Sequence, residues 1–160
     1  MLFLAILVTA TAIAALARRQ SSWRDHARRG LSAAMVFAGF SHLAKPDPFT
    51  QHLPDWVPAA GVIVAITGLI EIAIGAALVW HRLPREVVGR LTAAYLLAVF
   101  PANVYVAVAD VEVDGQPGGV FQWLRLPLQA VFIAWALWST RPEGSIERAS
   151  APRQRSLVSR

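Results

Sequence analysis

The stretch AAGVIVAITGLIEIAIGAALVW, from Ala59 to Trp80, decides the fold class of this 160-residue chain. Its only charged residue is Glu71. A helix needs about 17–25 mostly apolar residues to cross a bilayer. The stretch therefore predicts a transmembrane helix with one ionisable group near its middle.

Four other apolar segments flank this stretch, and the second of them is short enough to need Arg28 and Arg29 as snorkelling ends. The sequence predicts an all-α membrane protein, with a transmembrane helical domain over residues 1–140 and a disordered cytoplasmic tail over 141–160. The five predicted spans are about 1–17, 29–45, 59–80, 88–109 and 120–140.

The connections between the segments alternate in charge. Residues 18–29, 81–90 and the tail are rich in arginine, whereas 45–58 and 110–119 are mixed or acidic. Cytoplasmic loops collect Lys and Arg, so we expect the N-terminus outside and the C-terminus inside. The expected location is the bacterial plasma membrane, with five passes.

Composition excludes several functions. The chain has no cysteine, which rules out a disulfide framework, a thiol redox centre and a cysteine nucleophile. The net charge of +5 and the pI near 11 come from basic residues in the connections rather than from a basic stripe, so no nucleic-acid partner is expected. The four histidines lack metal-ligand spacing, and no nucleophile–base pair is visible, so an autonomous enzyme is not expected.

Glu71 is the most costly polar residue of the predicted spans. It lies about a dozen residues into its helix, roughly 18 Å along the axis. Gly61, Gly68 and Gly75 share its helical face, and small residues let a neighbouring helix approach closely. Glu71 is therefore either a buried structural group or a group that handles protons or binds a ligand.

Three other segments offer polar groups at membrane depth. Asn103 follows Pro101, which frees a backbone carbonyl, and Tyr95 lies two turns earlier on the same face. Arg125 and Gln129 lie in a polar stripe of the last segment, where Arg125 either snorkels outward or meets an anionic group. His42 ends the second segment and is either structural or a ligand-binding group.

These polar residues come from four different segments and lie from the midplane outward. Exposing them separately to lipid would be costly, so the sequence predicts that they converge on one interior polar site. The candidate ligand-binding residues are His42, Glu71, Tyr95, Asn103, Arg125 and Gln129.

The same residues occur in four short blocks, namely AGFSHL (38–43) with Pro46 and Phe49, GLIE (68–71), FPANVY (100–105) and RLPLQ (125–129). In this order the blocks resemble the DoxX family, over roughly residues 28–140. The resemblance implies a four-helix transmembrane bundle, to which the first segment would be an added helix. It also implies an association with quinone-linked membrane redox systems.

Three functions remain open at this point. The chain is expected to be an accessory subunit of a quinone-linked redox system, with a quinone at the interior site and an oxidoreductase partner. The first alternative is a protein that binds or transports a lipid or small lipophile, and the second is a structural membrane protein. Membrane lipids are expected partners, and the glycine face fits either intrachain packing or a homo-oligomer.

Overall fold

The structure, a computed structural model, describes residues 2–17, 21–80 and 82–142. Over these residues all the regular secondary structure is helical. These ranges contain six helices and no strand. The helices are α1 (Leu2–Ala17), α2 (Trp23–Ala44), α3 (Asp47–Thr50), α4 (Ala60–Val79), α5 (Arg85–Val108) and α6 (Val120–Ser139). Most of the predicted tail, residues 143–160, lies outside the described residues, as do Arg18, Arg19 and His81.

In the described part of the chain, three helices are long and apolar enough to cross a membrane, namely α4, α5 and α6. Their bounds lie close to the predicted ones, and exposed large apolar side chains such as Ile66, Leu97 and Val131 cover their outer faces. Apolar helix faces of this kind suit lipid better than water. The chain is therefore compatible with a membrane location, whereas α1, with 16 residues, is a shorter apolar helix.

Helix α2 begins earlier than predicted. The predicted second span started near residue 29, but the helix starts at Trp23, where the Ser22 side chain accepts a hydrogen bond from the Asp25 backbone N–H. A serine cap with an acidic residue in the first turn stabilises a helix N-terminus. The prediction that Arg28 snorkels is also wrong, because this side chain is only 3% exposed.

The α2–α4 pair is the most extensive contact in the fold, and glycines make it possible. A Cβ on Gly68 would lie 2.9 Å from the Gly39 carbonyl oxygen, and a Cβ on Gly75 would lie 2.9 Å from the Ser32 carbonyl oxygen. The predicted packing role is confirmed for these two α4 glycines. Within this chain Gly61 makes no such contact, because its Cβ would meet nothing within 4 Å where α2 has already ended.

A second pair is formed by α5 and α6, and α1 packs along α2. The two main pairs are joined by a core that includes Leu31, Met35, Leu96 and Phe132. Contact between α4 and α5 is much less extensive than contact within either pair. A cleft therefore remains between the α2–α4 pair and the α5–α6 pair.

Candidate functional site

The cleft between the two helix pairs is a partly open cavity of about 1700 Å³. Its lining is mostly apolar, with side chains such as Phe37, Phe40, Ile70 and Val99. Every residue predicted for the interior site lines it: His42, Glu71, Tyr95, Asn103, Arg125 and Gln129. The structure thus brings the six residues to one cavity.

One polar region of the cavity is built by α2 and α4. His42 ends α2, and its Nδ1 lies 3.2 Å from the Thr67 hydroxyl and 3.7 Å from Glu71 Oε2. The Thr67 hydroxyl donates to the Val64 carbonyl at 2.9 Å, so it is free to accept a hydrogen bond from His42. The Phe49 ring packs on the imidazole at 3.9 Å between centroids. His42 is thereby held at the edge of the Glu71 carboxyl group.

Glu71 and Tyr95 meet across the cleft, but their polar atoms are not satisfied. Glu71 is 8% exposed, and within the described ranges neither its Oε2 nor the Tyr95 hydroxyl completes a hydrogen bond of good geometry. Buried polar atoms without a partner are rare in native proteins, because each costs about 1–3 kcal/mol. The pair therefore offers an unfilled acceptor and a hydroxyl at the apolar cavity wall.

Asn103 and Gln129 have partners already. The Gln129 amide donates to the Leu96 carbonyl at 2.6 Å, and the Asn103 amide lies 3.4 Å from Gln129 Oε1. Gln122, the first residue of the same stripe, donates to the Val111 carbonyl at 2.7 Å. These polar side chains of α6 thus mainly hold the helix against α5 and against the segment that follows α5.

Arg125 lies half-buried at the mouth of the cavity, near the start of α6, and contacts His52. Its Nη1 is 3.4 Å from His52 Nε2, while His52 Nδ1 donates to the Pro48 carbonyl at 2.8 Å. Burial lowers the pKa of His52, and the neighbouring Arg125 charge lowers it further, although the Pro48 contact opposes them. His52 is therefore neutral near pH 7, with Nε2 as an acceptor for the guanidinium.

Sequence reasoning missed several polar residues of this cavity, among them Thr67 and His52. Thr67 lies four residues before Glu71 on the same face of an otherwise apolar helix, which is a signal that could have identified it. His52 lies in an irregular connection after α3, where no periodicity indicates the direction of a side chain. No group of three or more potential metal ligands occurs in the part of the chain that the structure describes.

Residues 31–140 match a family described as Domain of unknown function (DUF8561). The chain belongs to the DUF8561 family. All six predicted site residues fall within the matched range, whereas α1 and the start of α2 precede it. No curated protein and no solved structure matches the chain.

This family match corrects the resemblance to the DoxX family, which is wrong. The four blocks on which it rested combine single polar residues with small and apolar ones. Membrane helices draw on these few residue types for close packing, so short blocks of this kind arise in unrelated bundles. The expectation of a four-helix DoxX unit with an added helix is therefore also wrong.

Proposed function

We propose that this DUF8561 protein is a multi-pass membrane protein that binds a lipid or small lipophile in the cleft between its two helix pairs. The polar part of the ligand would meet Glu71 and Tyr95, and its apolar body would lie along the cavity wall. The observation that carries the proposal is the buried Glu71 carboxyl at the wall of a large apolar cavity, whose Oε2 makes no regular hydrogen bond with the described residues although His42 and Tyr95 lie beside it. Ligand pockets commonly combine an apolar lining with a few convergent polar groups.

The proposal includes the finer topology. The three apolar helices, together with α1 and the C-terminal part of α2, would give five spans with the N-terminus outside and the C-terminus inside. Arg82, Arg85 and Arg90 around the start of α5 support this orientation, since the opposite connection carries only acidic charges. The plasma membrane of a bacterium remains the expected location.

A purely structural role for Glu71 makes a different prediction about stability. If Glu71 only locked the helices together, its removal would destabilise the fold. If the role of Glu71 is to bind a ligand, replacing it with an apolar group of similar size should leave the stability of the ligand-free fold unchanged or raise it slightly. The reason is that the replacement removes an unsatisfied buried polar group.

The test is native mass spectrometry of the protein after mild detergent extraction, comparing wild type with Glu71→Leu. We expect a lipophile-sized mass on the wild type and at least a tenfold lower occupancy in the variant, which loses a hydrogen bond to the ligand. Thermal unfolding of the ligand-free proteins should give the variant a stability equal to or above that of wild type.

The matched control is Glu86→Leu, since Glu86 is half-exposed on α5 and pairs with Arg90 alone among the described residues. It should keep the bound mass. Bare polypeptide in every sample, or equal occupancy in the wild type and Glu71→Leu, would contradict the proposal. The mass itself separates the ligands: a quinone would support the accessory redox role, and a lipid would support the binding role.

A further inference from the structure

Arg125 carries a charge that its surroundings do not neutralise. It is half-buried at the cavity mouth, and no carboxylate lies within ion-pair distance of it among the described residues. Its described hydrogen-bond contact is His52 Nε2, a neutral acceptor. Arginine at a membrane boundary is costly unless it meets water or an anion. The N–H groups of the guanidinium that do not contact His52 can bind a phosphate or a carboxylate.

His52 also orients the guanidinium. Because His52 Nδ1 is committed to the Pro48 carbonyl, the ring cannot turn without losing that bond. Its Nε2 therefore offers a fixed acceptor for one arm of Arg125. This arrangement makes His52 a positioning residue for the cation at the mouth of the cavity.

Two basic and two acidic side chains line the cavity. Lys45 lines the cavity as a second cation. The acidic residue at the same end, Asp114, is engaged by Gln51: the Gln51 amide donates to Asp114 Oδ2 at 2.9 Å, and the Asp114 backbone N–H donates to Gln51 Oε1 at 2.8 Å. The Glu71 carboxyl is the other acidic group of the lining and lies deeper.

The depths of the two polar regions match an amphiphile. Arg125 is five residues from the start of α6 at Val120, or about 8 Å along the axis. Glu71 is eleven residues from the start of α4 at Ala60, or about 17 Å. Both helices start at the same end of the bundle, because the chain reverses direction twice between them, over residues 80–84 and 109–119. Arg125 thus lies at head-group level and Glu71 below it.

We propose that the ligand is an anionic phospholipid of the surrounding bilayer, with its phosphate on Arg125 and its ester carbonyls accepting hydrogen bonds from the Tyr95 hydroxyl and from a protonated Glu71 carboxyl. This inference rests on the proposed function, because it assigns the ligand class of the same cavity. The apolar lining then holds the acyl chains, and the Arg125 charge selects an anionic head group over a zwitterionic one.

The test is a titration of delipidated protein with phosphatidylglycerol and with phosphatidylcholine of the same acyl chains, followed by native mass spectrometry. Wild type should bind phosphatidylglycerol about tenfold or more tightly than phosphatidylcholine, as expected for a charge-assisted contact. Arg125→Gln should reduce this preference to near unity, and Arg125→Lys should retain part of it. The control Arg90→Gln, an exposed arginine on α5, should behave as wild type.

Two further arms distinguish the source of the anion. Oleate and inorganic phosphate are each added as competitors of phosphatidylglycerol, and neither should displace it at equal concentration. Displacement by oleate would make the ligand a fatty acid, and displacement by phosphate would make it a free anion, so either result overturns the phospholipid assignment.

The outcomes also separate this inference from the proposed function. Equal binding of the two phospholipids to wild type, or a preference that survives Arg125→Gln, overturns the head-group assignment alone. Absence of saturable binding of either lipid overturns the proposed function as well.

Discussion

Replacing Arg28 with methionine is expected to lower the free energy of unfolding by about 1–3 kcal/mol, the usual cost of leaving a buried hydrogen-bond acceptor without its partner. Arg28 Nη2 donates to Asp25 Oδ1 at 2.8 Å, and Nη1 donates to the Leu78 carbonyl near the end of α4. Asp25 also pairs with Arg85 at 3.3 Å. One guanidinium thus links α2 to the end of α4, and through Asp25 to the start of α5.

The loss at Arg28 has two causes. The variant leaves the Leu78 carbonyl, one of the terminal carbonyls of α4, without its buried partner. It also leaves Asp25 with Arg85 as its remaining ion-pair partner in the described ranges. Arg28→Lys should be intermediate, because a single ammonium lacks the planar fork that reaches two acceptors.

The free energy of unfolding is measured by titrating the protein in mixed micelles with a denaturing detergent. Arg90→Met is the control variant. The Arg90 side chain is 73% exposed and pairs with Glu86 one turn away, so its loss should cost about 0.5 kcal/mol or less. If Arg28→Met lowers the free energy of unfolding no more than Arg90→Met does, the Arg28 side chain extends to solvent, as the sequence predicted.

Gly75→Leu is expected to destabilise the protein by about 1–3 kcal/mol relative to Gly61→Leu, the usual cost of overpacking a close contact. A Cβ on Gly75 would lie 2.6 Å from Val36 Cγ2 and 2.9 Å from the Ser32 carbonyl oxygen. The Ser32 hydroxyl also donates to the Gly75 carbonyl at 2.6 Å, a bond that requires the two helices to stay close. A leucine therefore has to push α2 and α4 apart.

The two glycine variants form a matched pair. Both glycines lie on α4, so the gain in helix propensity on replacing glycine is common to both and cancels in the comparison. Space around Gly61 is open. Equal unfolding free energies in the same detergent titration would show that the close approach of α2 to α4 does not contribute to stability.

The spans of α4, α5 and α6 could be predicted because long apolar blocks end at charged residues, Gly or Pro. The start of α2 could not be found in that way, since Arg24, Asp25 and Arg28 give the helix the charge pattern of a loop. Ser22 followed by Asp25 was nonetheless a readable cap signal. The short α3 depends on how the chain turns after Pro46, which local sequence does not specify.

The site could be predicted in part for a physical reason. Glu71 and Tyr95 had to face the protein interior because lipid exposure is costly, and the structure places both on one cavity. That argument does not identify the hydrogen-bond partner of each polar side chain. It did not indicate that Gln129 donates to the Leu96 carbonyl or that His52 contacts Arg125. Such pairings depend on how the two helix pairs meet.

The most direct test of the central claim is a density map of the protein in lipid nanodiscs, with a bound antibody fragment to aid alignment. The account predicts elongated non-protein density in the cleft between the α2–α4 and α5–α6 pairs, with a polar end within hydrogen-bond distance of Glu71 or Tyr95. A cleft closed by direct packing of α5 against α4, with Glu71 Oε2 bonded to a protein group, would contradict it.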